Sequence, residues 1–143
     1  MNLEDLTYQL NDYTDPSGAD FVAQLATDQE TLTVTCSINP DASIILLVSD
    51  EQIISVTPLL RKEDIQTADL AEFNQTVLRL SPVIPLSSIG LQDDGTYILF
   101  GAMSVNTSFE NIAHELAIQA DNASDVLAAL DSFVSSTSTL ETV

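Results

Sequence analysis

Cys36 and His114 are each the only residue of their type in the chain, and together they define the first chemistry to consider. An imidazole beside a thiol can activate it as a nucleophile. Their settings point to plainer roles. Cys36 lies on the apolar side of the alternating run Leu32-Thr33-Val34-Thr35-Cys36, where a thiol packs as a small apolar group. His114 follows Glu110 by one helical turn, the spacing of a surface pair. No third group is spaced to orient the imidazole. A single Cys and a single His also fall short of the N/S ligand set that zinc takes.

The remaining polar groups carry no stronger signature. Asp93 and Asp94 precede Gly95, but no Glu follows to close a calcium loop, so they read as a turn. Ser87-Ser88 lacks the G-x-S-x-G frame of a nucleophile elbow, and neither a P-loop nor a G-x-G-x-x-G is present. Arg61, Lys62 and Arg79 are too few for a phosphate-binding patch and serve to offset neighbouring acids. The reading is therefore no catalytic residue, no metal and no cofactor.

Composition sets the outer bounds. The chain has 143 residues, with 3 basic against 22 acidic side chains and a formal charge of -19. Nucleic acid and anionic lipid are excluded as partners, because phosphate binding needs clustered Lys and Arg. Solubility, a salty cellular interior or a cationic partner surface fits the charge. One cysteine excludes an internal disulfide and suits a reducing compartment. The N-terminus MNLEDLTYQL has acids where a signal peptide would be basic, and no apolar run reaches the roughly 18 residues of a membrane span. A cytoplasmic location is expected, with one α+β domain over 1–135 and a disordered tail over 136–143.

Periodicity then places the elements. Leu3, Leu6 and Leu10 predict a helix over 2–12, broken by Asp15-Pro16-Ser17-Gly18. Phe21, Ala23 and Leu25 alternate, but the run is too short to assign as strand. Thr31 to Ile38 alternates as a strand with one buried face, Asn39-Pro40-Asp41 makes the turn, and Ile44 to Val48 is apolar throughout. A strand returns over 53–57, and Pro58 ends its ladder. Thr67 is the expected N-cap of a helix over 67–80, with Leu70, Phe73 and Val77 in one stripe. A hairpin follows, turning at Asp93-Asp94-Gly95, with Tyr97 to Phe100 apolar on both faces and so expected to be covered on both. Its first strand lies nearer an edge, and Gly101 marks a close approach. Finally Phe109, Ile112, Leu116, Ala120, Ala123, Leu127, Leu130 and Val134 predict one long helix of about 40 Å. Its cap is Asn106, Thr107 or Ser108. The order α-β-β-β-(β)-α-β-β-α is an antiparallel α+β arrangement.

The segment Pro85-Leu86-Ser87-Ser88-Ile89-Gly90, followed by Tyr97-Ile98-Leu99-Phe100-Gly101-Ala102-Met103-Ser104, resembles the YjfI-like family of small bacterial proteins. The flanking helices are similar too, so the likeness covers the C-terminal two-thirds. The family is one of unknown function with no established catalytic residues, and none is carried over. Its genes neighbour one for a PspA-type membrane-stress protein, and the resemblance implies a partner of that long coiled-coil kind. The element order also resembles the type III secretion chaperone fold, shared with YbjN-like proteins, which implies a homodimer. The expectation is a non-catalytic, chaperone- or adaptor-like interaction module, with Leu70, Phe73 and Val77 as a partner or dimer face. The alternative is a small-molecule binder or enzyme with a site between the sheet and the C-terminal helix, using Ser87, Ser88 and Tyr97.

Overall fold

The computed structural model describes residues 2–134, so the tail expected over 136–143 lies outside the described residues. Within them the chain forms α1 (Leu3–Asn11), β1 (Phe21–Leu25), β2 (Leu32–Cys36), β3 (Asn39–Val48) and β4 (Gln52–Arg61). There follow α2 (Leu70–Leu80), β5 (Ser88–Leu91), β6 (Thr96–Ser104) and α3 (Phe109–Leu130). The strands make one six-stranded antiparallel sheet in the order β1-β2-β3-β4-β6-β5. The expected α+β order is the one found, with the optional fourth strand present.

Directly opposed residues in an antiparallel pair project to the same side, so the register sorts the faces. One face carries Phe21, Val34, Leu46, Ile53 and Leu99, all buried. Among the described residues α1, α2 and α3 all lie on this side. The buried face of α1, Leu3, Leu6 and Leu10, packs with Phe21 and Ala23 of β1, held by the Asn2 side chain accepting from the Glu4 and Asp5 amides. α3 crosses the middle of the sheet on Ile112, Leu116 and Ala120, and α2 joins its C-terminal half through Phe73 and Val77. Ser108 caps α3 by accepting from the Asn111 amide at 3.1 Å. Its 22 residues span about 33 Å, and a 3₁₀ turn over Asp131–Phe133 replaces the last turn expected of the helix.

Several boundaries differ from expectation for stateable reasons. The β2–β3 turn is Ser37-Ile38, two residues before the expected Asn39-Pro40-Asp41, because Cys36 pairs with Asn39. Asn39 is held there by donating from Nδ2 to the Ala120 carbonyl of α3 at 3.0 Å, and Ile38 is left exposed. Pro58 does not end β4, which pairs on with β6 through Arg61. The last β3–β4 pair is Ile45 with Val56, so Pro58 has a strand on one side only, and its missing N–H costs no ladder bond. Thr67 opens a 3₁₀ turn rather than capping α2. Phe21–Leu25, too short to assign by pattern, is a strand because β2 pairs with it throughout. In α3 the stripe runs through Val126, and Leu127 faces outward.

The hairpin has its expected turn. Gly95 takes φ +88, and the Asp94 carboxylate accepts from the Thr96 amide at 3.0 Å. Gly101 leaves room where α3 packs close to the sheet. A Cβ there would stand 3.1 Å from Ser55 Oγ and 3.3 Å from Gln119 Oε1. Gln119 is buried, and it joins α3 to β4 by accepting from Ser55 Oγ at 2.6 Å and donating to Thr57 Oγ1 at 3.0 Å. Replacing Gln119 by Leu keeps the volume but strands the Thr57 hydroxyl and leaves Ser55 Oγ only its 3.4 Å bond to the Gly101 carbonyl, at about 1–3 kcal/mol of stability. A lower urea midpoint with an unchanged slope is the expected result; an unchanged midpoint would contradict this role for Gln119.

Candidate functional site

The opposite face of the sheet is built from the alternate residues of the same strands. Ile45 opposes Val56, Val56 opposes Phe100, Leu47 opposes Ile54, and Pro58 opposes Ile98. Among the described residues no helix lies on this side. Ile45, Ile54, Val56, Ile98 and Phe100 are half-buried by one another, while Leu47 and Val22 stand 40% and 66% exposed. Tyr97 to Phe100 and Ile44 to Val48 were expected to be covered above and below. Only the side of Tyr97, Leu99, Ile44 and Leu46 is covered. The apolar alternates mark a face left open rather than a second core.

Glycine helps keep that face level. The Phe100 ring lies over Gly90 of the edge strand, where a Cβ would come within 3.1 Å of Phe100 Cε1. Within the paired block, from Val22 and Gln24 of β1 to Ser88 and Gly90 of β5, this face carries no acidic side chain, and its one ionisable group is Arg61, opposite Thr96 at the far end of β4. On a chain with a formal charge of -19, that exclusion is the feature that most needs a function. The acids gather at its ends. Asp28 and Glu30 in the β1–β2 turn and Asp50 and Glu51 in the β3–β4 turn share one end, all exposed. Beside them is a hollow of about 510 Å³, lined by Leu3, Leu47 and Val48 with Glu4 and Glu30.

The residues expected to do chemistry or bind partners are placed otherwise. Leu70 is half-buried, and Phe73 and Val77 pack inside against Tyr97, Val126 and Leu130, with Phe73 edge-on to Tyr97 and Phe133. α2 therefore spends its stripe on the core. Ser87 accepts from Asn122 Nδ2 at 3.2 Å, and the same amide donates to the Pro85 carbonyl at 2.8 Å. Tyr97 hydroxyl donates to Asn74, and burial pushes its phenol up despite that bond. Ser88 is exposed on the other side of the sheet. These three groups do not converge, and Gln119 with the apolar side chains of α3 occupies the space between sheet and helix. Gln119 and Asn122 were not singled out from sequence. Their signal was a polar residue on the apolar stripe of α3, three positions after Leu116 and Gln119 respectively.

Cys36 is fully buried, and desolvation pushes its thiol up, with nearby Asp15 and Asp20 adding to the effect and the Ile38 amide opposing it. It remains a protonated thiol at neutral pH. His114 is exposed on α3 beside a shallow depression of about 270 Å³ that also includes Asp15, Ser17 and Ile38. Asp15 is buried, and the Ser17 hydroxyl and amide hold it below the usual carboxylate range, with a smaller contribution from His114. Its bonds close the turn after α1. Among the described residues no group of three or more His, Cys, Asp or Glu could hold a metal ion, and no helix is long and apolar enough to cross a membrane.

Two measurements follow from these groups. Cys36 should react with a thiol-specific disulfide reagent far more slowly in the folded protein than in urea, and fast labelling of the folded protein would refute its burial. Because the Asp15 pKa is lowered on folding, its stabilising effect is complete above the ordinary carboxylate value and fades as pH falls through the folded one. The urea midpoint should fall with acid below about pH 4. Asp15→Asn, which can still accept from the Ser17 amide, should flatten that limb; an unchanged slope would remove Asp15 from the acid response.

With the geometry in place, the comparisons can be read. The family model described as "Uncharacterized protein conserved in bacteria (DUF2170)" matches residues 1–134. The uncharacterized protein YjfI of Escherichia coli K12 is 37% identical over 89 residues, which is 60% of this chain and 65% of that protein. YjfI of Escherichia coli O157:H7 matches to the same extent. These matched regions are under two thirds of each relative's length. One chain from the crystal structure of the ExsC–ExsE complex aligns with a TM-score of 0.49 at 14% identity, over 95% of this chain and 99% of that one. The family match includes the N-terminal third, beyond the C-terminal two-thirds that carried the sequence likeness.

Proposed function

The chain belongs to the bacterial DUF2170 family, to which YjfI is similar, and we propose that it is a non-catalytic protein-interaction module with an adaptor- or chaperone-like role. One observation carries this: an acid-free, largely apolar sheet face, with no helix over it among the described residues, on a strongly acidic chain. A face of this kind is costly to leave in water and lowers its free energy when a partner covers it. The polar inventory supports the same conclusion. The buried thiol is protonated, Gln119 and Asn122 are spent on tying α3 to the sheet and the Pro85 loop, and among the described residues no nucleophile–base pair is assembled.

A PspA-type protein is the partner to try first, since the YjfI-like resemblance implies one and its long helices offer apolar stripes. A homodimer would use a different surface. Leu78, Val83, Leu86 and Leu91 are exposed around α2 and the edge strand β5, and Leu86 holds a left-handed φ of +59 with its side chain outward. The cytoplasm is the compartment proposed for both associations.

Calorimetric titration with the PspA-type protein of the same genome tests the central claim. Binding is expected, and Val56→Asp, which sets an unpaired charge into the open face, should weaken it by at least about tenfold while leaving the circular dichroism spectrum unchanged. Binding unaffected by that substitution would move the interaction off the sheet. A measured turnover for any substrate would end the non-catalytic reading.

A further inference from the structure

The open face has its own chemistry of selection. Resting on the interaction-module reading, we infer that its occupant is an amphipathic segment carrying Lys or Arg beside an apolar stripe, and that one of those cationic side chains enters the hollow between Glu4 and Glu30. The part of the face around Leu47, Ile54 and Val56 carries no charged side chain, so an apolar stripe can be buried there without desolvating a charge. Where the face ends, the environment changes within one residue. Leu3, Leu47 and Val48 form the apolar part of the hollow, and Glu4 and Glu30 supply its carboxylates. That pairing suits a side chain with an aliphatic stem and a cationic head, which buries its methylenes and keeps its charge beside acids. Asp28, Asp50 and Glu51 at the same end extend the negative field that would guide such a segment in.

A second copy of the chain fits this face less well. Each copy carries a formal charge of -19, and face-to-face packing would bring two acidic ends together. The chain offers only 3 basic residues to answer them, and Arg61 already lies 3.5 Å from Glu63. A cationic partner meets no such opposition.

Fluorescence anisotropy with the full chain and three labelled helical peptides of equal length tests the inference. One has a Leu stripe flanked by Lys, one the same stripe flanked by Glu, and one the Leu/Lys composition with the stripe scrambled. The Leu/Lys peptide should bind at least about tenfold tighter than either control and should weaken as salt is raised. Leu47→Ser combined with Ile54→Ser should weaken it by about tenfold or more without changing net charge. Glu4→Gln with Glu30→Gln should weaken it and blunt the salt dependence. Equal binding of the scrambled peptide, or indifference to the Leu47/Ile54 substitutions, would overturn the inference. So would a wild-type dimer in sedimentation equilibrium that those substitutions turn into a monomer, since a second copy would then be the occupant. A chain that ignores all three peptides yet binds a protein partner elsewhere loses only this inference. Failure to bind any protein partner would remove the module reading beneath it.

Discussion

The burial of one sheet face under three helices, with the other face left to itself, governs the rest of the structure. A six-stranded sheet offers two surfaces of similar extent, and in this chain both are apolar along the central strands. The hydrophobic effect would reward covering either one. α3 determines the outcome, because its apolar stripe lies across β3, β4 and β6 on one side, and α1 and α2 take the remaining ground on that same side. No helix remains for the other face among the described residues.

Polar groups inside the covered layer set how the helix sits. Gln119 bonds the hydroxyls of Ser55 and Thr57, and it can do so because Gly101 leaves room opposite. Asn122, one turn later, holds the loop before β5 through the Pro85 carbonyl and the Ser87 hydroxyl. An apolar contact tolerates sliding, whereas a buried amide hydrogen-bonded to fixed partners defines a single register. The two amides therefore orient α3 and, through it, decide which sheet residues are enclosed. The same bonds consume the side chains from which a reactive centre between sheet and helix would have been built.

Function then rests on contrast between surfaces. Acidic side chains dominate the turns and exposed helix faces, while the paired block of the open sheet face has none. Negative charge elsewhere repels anionic polymers, and the acid-free face remains able to accept an apolar stripe. Selectivity arises at the border between the two, where Leu47 and Val48 meet Glu4 and Glu30.

Much of this was legible in the chain itself. The order of elements, the Asp93-Asp94-Gly95 turn, the cap of α3 to within Asn106, Thr107 or Ser108, the edge position of β5 and the inward Cys36 all follow from local pattern, because alternation, capping and positive-φ glycine act over a few residues. Tertiary structure alone decided the remainder. An apolar residue on both sides of Ile44–Val48 and Tyr97–Phe100 shows that each side dislikes water, but not which side the helices reach. Phe73 and Val77 could have faced a partner until α3 came to lie against them. Periodicity describes what each segment would bury; which surface is actually covered depends on how many helices there are and where α3 locks onto the sheet.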